Sequence, residues 1–186
     1  SGCDNECGST AEFDECGVCD GPGLLECADG SFVCDEADCS DDLGGTIDYC
    51  LSLHGGANLI SFYALPEDNS IGNVMASLDG IVAGVIGEGV AANPHPSFGW
   101  VGSLSDISAI SGYWVKLNQD ADLCLTEAIP TDPTIVYNLH FGPNLISFPV
   151  DGSVGIGEGL PDDIEGNVTG VIGEGVAANP HPSFGW

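Results

Sequence analysis

Arginine does not occur in this chain of 186 residues, and lysine occurs once, at Lys116. Against that single cation stand 29 aspartates and glutamates, a formal net charge of −28. Phosphate backbones are bound by lysine and arginine with release of counterions, so nucleic acid is excluded as a partner, and anionic membrane surfaces with it. Long hydrophobic runs are missing as well. Without eighteen consecutive apolar residues, no helical membrane span is expected. Enzyme signatures are also lacking. No serine lies in a GxSxG elbow, four histidines fall in two equivalent pairs rather than a triad, and paired carboxylates are too abundant to single out a hydrolytic pair, so no catalytic residue is assigned. The glycine-rich GVIGEGVA is followed by Ala-Asn-Pro-His-Pro, which breaks the helix a nucleotide loop needs, and reads as a tight turn between closely packed strands.

What is present begins with acid and cysteine. An acidic surface attracts cations, above all Ca²⁺ with its preference for carboxylate and carbonyl oxygens; the alternative is a solvated coat that keeps an exported protein soluble. Nine cysteines are unevenly placed: Cys3, Cys7, Cys16, Cys19, Cys27, Cys34, Cys39 and Cys50, then Cys124 far downstream. Such density in a short acidic stretch implies a disulfide framework and an oxidising, extracellular compartment. Zinc is the other reading of Cys16-Gly17-Val18-Cys19, but no second pair follows at zinc-ribbon spacing. Cys50 and Cys124 are a candidate bridge stapling the first and last strands of one unit. The seven cysteines that remain leave one odd, free to link subunits. Asn167-Val168-Thr169 fits a glycosylation sequon.

Composition changes near residue 48. Residues 1–49 hold 14 of the 29 acids and seven cysteines, and the rest is rich in Val, Ile, Gly and Ser. That second part repeats. CLSLHGGANLISFYA (50–64) aligns with VYNLHFGPNLISFPV (136–150), and GVIGEGVAANPHPSFGW stands unchanged at 84–100 and 170–186, both at an offset of 86. The organisation is therefore an acidic Cys-rich segment at 1–49, a first β-rich unit at 50–135, and a second, incomplete unit at 136–186. Within a unit, NLISFYA, IVAGVIG, FGWVG, GYWVKLN and ADLCLTE are short runs of β-branched and aromatic residues bounded by turn formers. One helix is expected: Ser70 as cap, with Ile71, Val74, Met75 and Leu78 on one face before Gly80. Its counterpart VGIGEGLPDDIEG carries Gly and Pro, and the helix there is expected to be weaker or absent. The fold class is all-β: small tandem sandwich- or barrel-like repeats behind a disulfide-rich, loop-dominated N-terminal segment.

DECGVCDGPG (14–23) and ECADGSFVCDEADC (26–39) resemble the acidic Cys-rich repeats of large secreted and cell-surface proteins, loosely akin to thrombospondin type 3 repeats. The unit NLISFYALPEDNS…VIGEGVA…GYWVKLN is similar to modules recurring in exported multidomain proteins of marine and gliding bacteria. The first resemblance implies Ca²⁺ ligation by Asp14, Glu15, Asp20, Asp35 and Asp38, although the alternating DxDxDG ladder is missing. The second implies an extracellular repeat protein and is nearly silent about activity.

Asn93-Pro94-His95-Pro96-Ser97-Phe98-Gly99-Trp100 reads as a stiff loop with aromatic ends. His95, Phe98 and Trp100, with His181, Phe184 and Trp186 in the second copy, are candidate glycan contacts or interface anchors. The expectation is a secreted or cell-surface structural protein of a filament, stalk or adhesin. It would self-associate head to tail, by strand exchange at the edges a half-unit exposes. The alternative is a carbohydrate-binding or adhesive module of a larger exported enzyme.

Overall fold

The computed structural model describes residues 3, 12–19, 21–26, 32–35, 45–181 and 185–186. The chain divides into two compact units, Ser1–Gly45 and Thr46–Trp186.

The described residues of the N-terminal unit are short loops and a two-residue strand pair tied by disulfides. Cys3 is bridged to Cys19 and Cys16 to Cys34, and β1 (Leu25–Glu26) pairs antiparallel with β2 (Phe32–Val33). With so little apolar surface to bury, cross-links take the place of a core.

The second unit is all-β, as its alternating runs imply. β3 (Ile47–Leu53) alternates strictly: Ile47, Tyr49 and Leu51 turn inward while Asp48, Cys50 and Ser52 turn outward. After a sharp bend come β4 (Gly56–Ser61), β5 (Ala64–Leu65), β6 (Val82–Gly87), β7 (Val90–His95), β8 (Gly99–Gly102), β9 (Gly112–Leu117) and β10 (Ala121–Pro130). β3, β10 and β5 form one antiparallel sheet; β4, β9, β6, β7 and β8, in that order, form another. Leu53, Leu123 and Leu125 from the first sheet meet Val82, Val85, Val115 and Leu117 from the second in a single core, closed by Phe62 and Ile107. The pairing of β10 with β3 is interrupted by a bulge between Leu125 and Ala128, and β10 passes to β5 from Ile129. There Glu127 takes φ 52°, and its amide donates to Asp48 Oδ1 at 2.8 Å.

The expected helix divides in two. α1 (Ile71–Val74) ends at Met75 and a 3₁₀ turn follows at Ala76–Leu78, yet Ile71, Val74, Met75 and Leu78 are all buried as the pattern requires. Ser70 does not cap it with its side chain; its amide donates to Asp68 Oδ1 at 3.1 Å, and Asn73 Nδ2 donates to the Asp68 carbonyl. In the second copy helix persists as two single turns, α2 (Ile156–Gly159) and α3 (Asp162–Glu165), interrupted by Leu160-Pro161 and burying no residue.

The segment read as a stiff loop is mostly ladder. Asn93, Pro94 and His95 of β7 face Val101, Trp100 and Gly99 of β8. Pro94 fits because β6 pairs with β7 only over Val90–Ala92, so no donor is required of it on that side. The second copy of the same letters repeats the hairpin as β11 (Val171–Gly173) and β12 (Val176–Ala178), and His181 bridges Gly185 as His95 bridges Gly99.

Candidate functional site: a reciprocal carboxylate clasp

Each copy of the repeated hairpin ends in Gly-Glu-Gly-Val. The turn is two residues long, with Gly87 opposite Val90 and Gly173 opposite Val176. Its second position is Gly89 or Gly175, at φ 71° and 70°, a left-handed conformation glycine adopts without penalty. The first position is Glu88 or Glu174, whose side chain is thereby carried on the tip of a rigid ribbon.

These two carboxylates cross between the repeats. Glu174, in the second, takes His54 Nε2 at 2.5 Å and the Leu59 amide at 2.8 Å, both in the first. Glu88, in the first, takes His140 Nε2 and, at 2.8 Å, the Leu145 amide, both in the second. All three residues of one set lie 86 positions from their counterparts in the other. The contact is isologous: each repeat gives the carboxylate and receives it.

The receiving site is also built twice. The bend between β3 and β4 is held by Asn58, whose Oδ1 accepts the His54 amide at 2.9 Å and whose Nδ2 donates to the His54 carbonyl at 2.8 Å. Asn144 does the same for His140, at 2.9 Å in both directions. The histidine ring is thereby set beside the terminal strand of the sheet. Leu59 lies on β4, the edge strand, and its amide points away from β9. An unpaired edge amide and an imidazole together make a two-donor socket for one carboxylate.

The charge state follows from the acceptors. His54 Nδ1 lies 2.9 Å from the Gly55 carbonyl while Nε2 meets Glu174; both partners only accept, so the arrangement is satisfied in full by the protonated ring, in which both nitrogens donate. The Gly55 carbonyl, and after it Glu174, raises the His54 pKa; the Phe141 carbonyl and Glu88 do so for His140. Glu174 is held below the ordinary carboxylate range by His54 and by the Leu59 amide, and Glu88 by the Leu145 amide and by His140. In a chain with one lysine and no arginine, these histidines when protonated supply the positive charge beside each carboxylate.

Other sequence candidates take different places. Asp14 is turned into its own loop: Oδ1 accepts the amides of Cys16 and Val18 at 3.0 and 2.8 Å, and Oδ2 accepts that of Gly23 at 3.0 Å. The Val18 bond is the largest cause of its lowered pKa. Glu15 and Asp35 are described residues; Asp20, Asp38, Cys7, Cys27, Cys39 and Phe184 lie outside them. Among the described residues no three His, Cys, Asp or Glu side chains are gathered as for a metal ion. Cys16 and Cys19 are bridged to Cys34 and Cys3, so neither sulfur of the CxxC is free for zinc. Cys50 and Cys124 face one another across β3 and β10 and are bridged. Trp100 is half-buried on the core, its ring 3.6 Å from where a Cβ on Gly72 would stand, so it serves as an anchor. Phe98 is 77% exposed and stacks on His95 at 4.7 Å. Trp186 donates from Nε1 to Glu165 at 2.6 Å.

Glu88 and Glu174 are not among the sequence candidates, although both lie within the identical seventeen residues. No family model, curated protein or solved structure matches the chain.

Proposed function

We propose that this chain is a structural repeat protein of the cell exterior, a segment or subunit of a filament, stalk or adhesin whose units dock on one another. The observation that carries the reading is the reciprocal clasp. Two tandem units fasten through the same residues in both directions. Three disulfides among the described cysteines fit an oxidising exterior. No helix among the described residues is long and apolar enough to cross a membrane. Ca²⁺ belongs to this proposal as a ligand of the acidic N-terminal segment. The test is electron microscopy of native material with Ca²⁺ and after EDTA, beside its intact mass. Rods or filaments with a β-rich repeat support the reading; dispersed particles in both conditions sink it.

The exposed Phe98 ring on His95 favours a second reading, a glycan-binding module. Saturable binding on a glycan array, lost in Phe98→Ala, would select it.

A further inference from the structure

The pseudo-symmetry of the clasp fails at one place. In the second repeat the edge that offers the Leu145 amide to Glu88 is also stitched to the first repeat by main chain. Gly112 N–H donates to the Leu145 carbonyl at 2.9 Å, Ser147 N–H donates to the Ile110 carbonyl at 3.3 Å, and Ser111 bridges Ile146 antiparallel. The equivalent groups of the first repeat are the Leu59 carbonyl and the Ser61 amide, on the same outer side of β4 as the Leu59 amide. Among the described residues no strand pairs with them there. Beside them runs a cleft of about 370 Å³, lined by Leu51, Leu53, Leu59, Ile60, Ser61 and Glu174. Nearby, the Ser61 hydroxyl Oγ accepts the Phe148 amide at 3.5 Å.

We infer that the Leu59–Ser61 edge of β4 is a docking site for a short antiparallel strand from another copy of this repeat unit, contributed by its segment equivalent to Ile110–Gly112. The occupant is identified by the other half of the interface, where that segment already lies on Leu145–Ser147. The surface is continuous with the clasp, since Glu174 and His54 also line the cleft. Main-chain pairing supplies the affinity, and the small Ser-Gly pair lets the strand approach closely: a Cβ on Gly112 would stand 2.9 Å from the Ile146 carbonyl. This inference rests on the proposed docking of units and completes the second half of the same two-fold interface.

The test adds a synthetic peptide of residues 105–118, SDISAISGYWVKLN, to the ¹⁵N-labelled chain at concentrations up to millimolar. The expected result is a saturable shift and slowed hydrogen exchange at the Ser61 amide. A peptide carrying Gly112→Pro, which lacks the donor N–H, is expected to leave Ser61 unmoved. No effect at Ser61, equal effects from both peptides, or shifts confined to Leu145 and Ser147 through displacement of the existing strand would each overturn the inference. Hydrogen exchange at Leu59 and Leu145 in Glu174→Ala and Glu88→Ala chains reads the clasp separately. An intact clasp with a silent peptide therefore rejects the added strand alone.

Discussion

Glu174 and His54 meet at 2.5 Å although 120 residues of chain separate them. The same pair of residue types, Glu88 and His140, closes the opposite side of the interface across 52 residues. One carboxylate, one imidazolium and one edge amide, used twice, are what join the repeats.

That chemistry sets a pH window. The histidines are raised above 6.5, so their contribution is complete below that value and is lost as pH climbs through the raised pKa. The glutamates are depressed below 4.5, so theirs is complete above that value and is lost as pH falls through the depressed pKa. The clasp is therefore strongest between 4.5 and 6.5. Asp120, which accepts the Gly55 amide at 2.7 Å, also faces His54 and adds to its shift. Thermal unfolding of wild type minus that of a His54→Gln/His140→Gln chain should give a difference greatest within this window. A difference flat from pH 4 to 9 would rule out a charged clasp.

The core is centred on the first repeat. Phe62 is 0% exposed, whereas its counterpart Phe148 is half-buried. Phe62→Ala should cost about 3–5 kcal/mol in denaturant unfolding, and Phe148→Ala about 1 kcal/mol. Equal losses would mean the two phenylalanines are packed alike.

Cys50–Cys124 closes a loop of 74 residues between the first and last strands of the sheet. Replacing both by serine should lower stability by about 3–5 kcal/mol while leaving the far-ultraviolet circular dichroism unchanged at low temperature. An unaltered unfolding midpoint would show that the bridge does not constrain the unfolded chain.

Gly102 stands at φ 153°, and a Cβ there would lie 2.1 Å from the Ala91 carbonyl, which also accepts the amides of Ser103 and Leu104. Gly102→Ala is expected to destabilise the unit by about 1–3 kcal/mol, whereas alanine at the open surface position Gly166 should be near neutral.

Much of the fold is written in local pattern. Tyr113, Val115 and Leu117 alternate inward along β9 with Trp114 and Lys116 outward, and Ile71, Val74, Met75 and Leu78 show their common face even though the helix breaks at Met75. Tertiary context decides the rest. NLISF is strand at 58–61 because β9 pairs with it, whereas the same letters at 144–148 form only an isolated bridge at Ile146. The clasp was half visible: His54 and His140 stand out as a repeated pair, but their partners sit 120 and 52 residues away in a turn that glycine alone explains. Distance in sequence hides a contact that symmetry in sequence would have suggested.

The most direct measurement is amide hydrogen exchange in two single variants. Glu174→Ala, a change in the second repeat, is predicted to accelerate exchange of Leu59 in the first and leave Leu145 protected. Glu88→Ala, in the first, is predicted to release Leu145 and spare Leu59. If each substitution affects only amides of its own repeat, or neither amide responds, the reciprocal joining of the two units is contradicted.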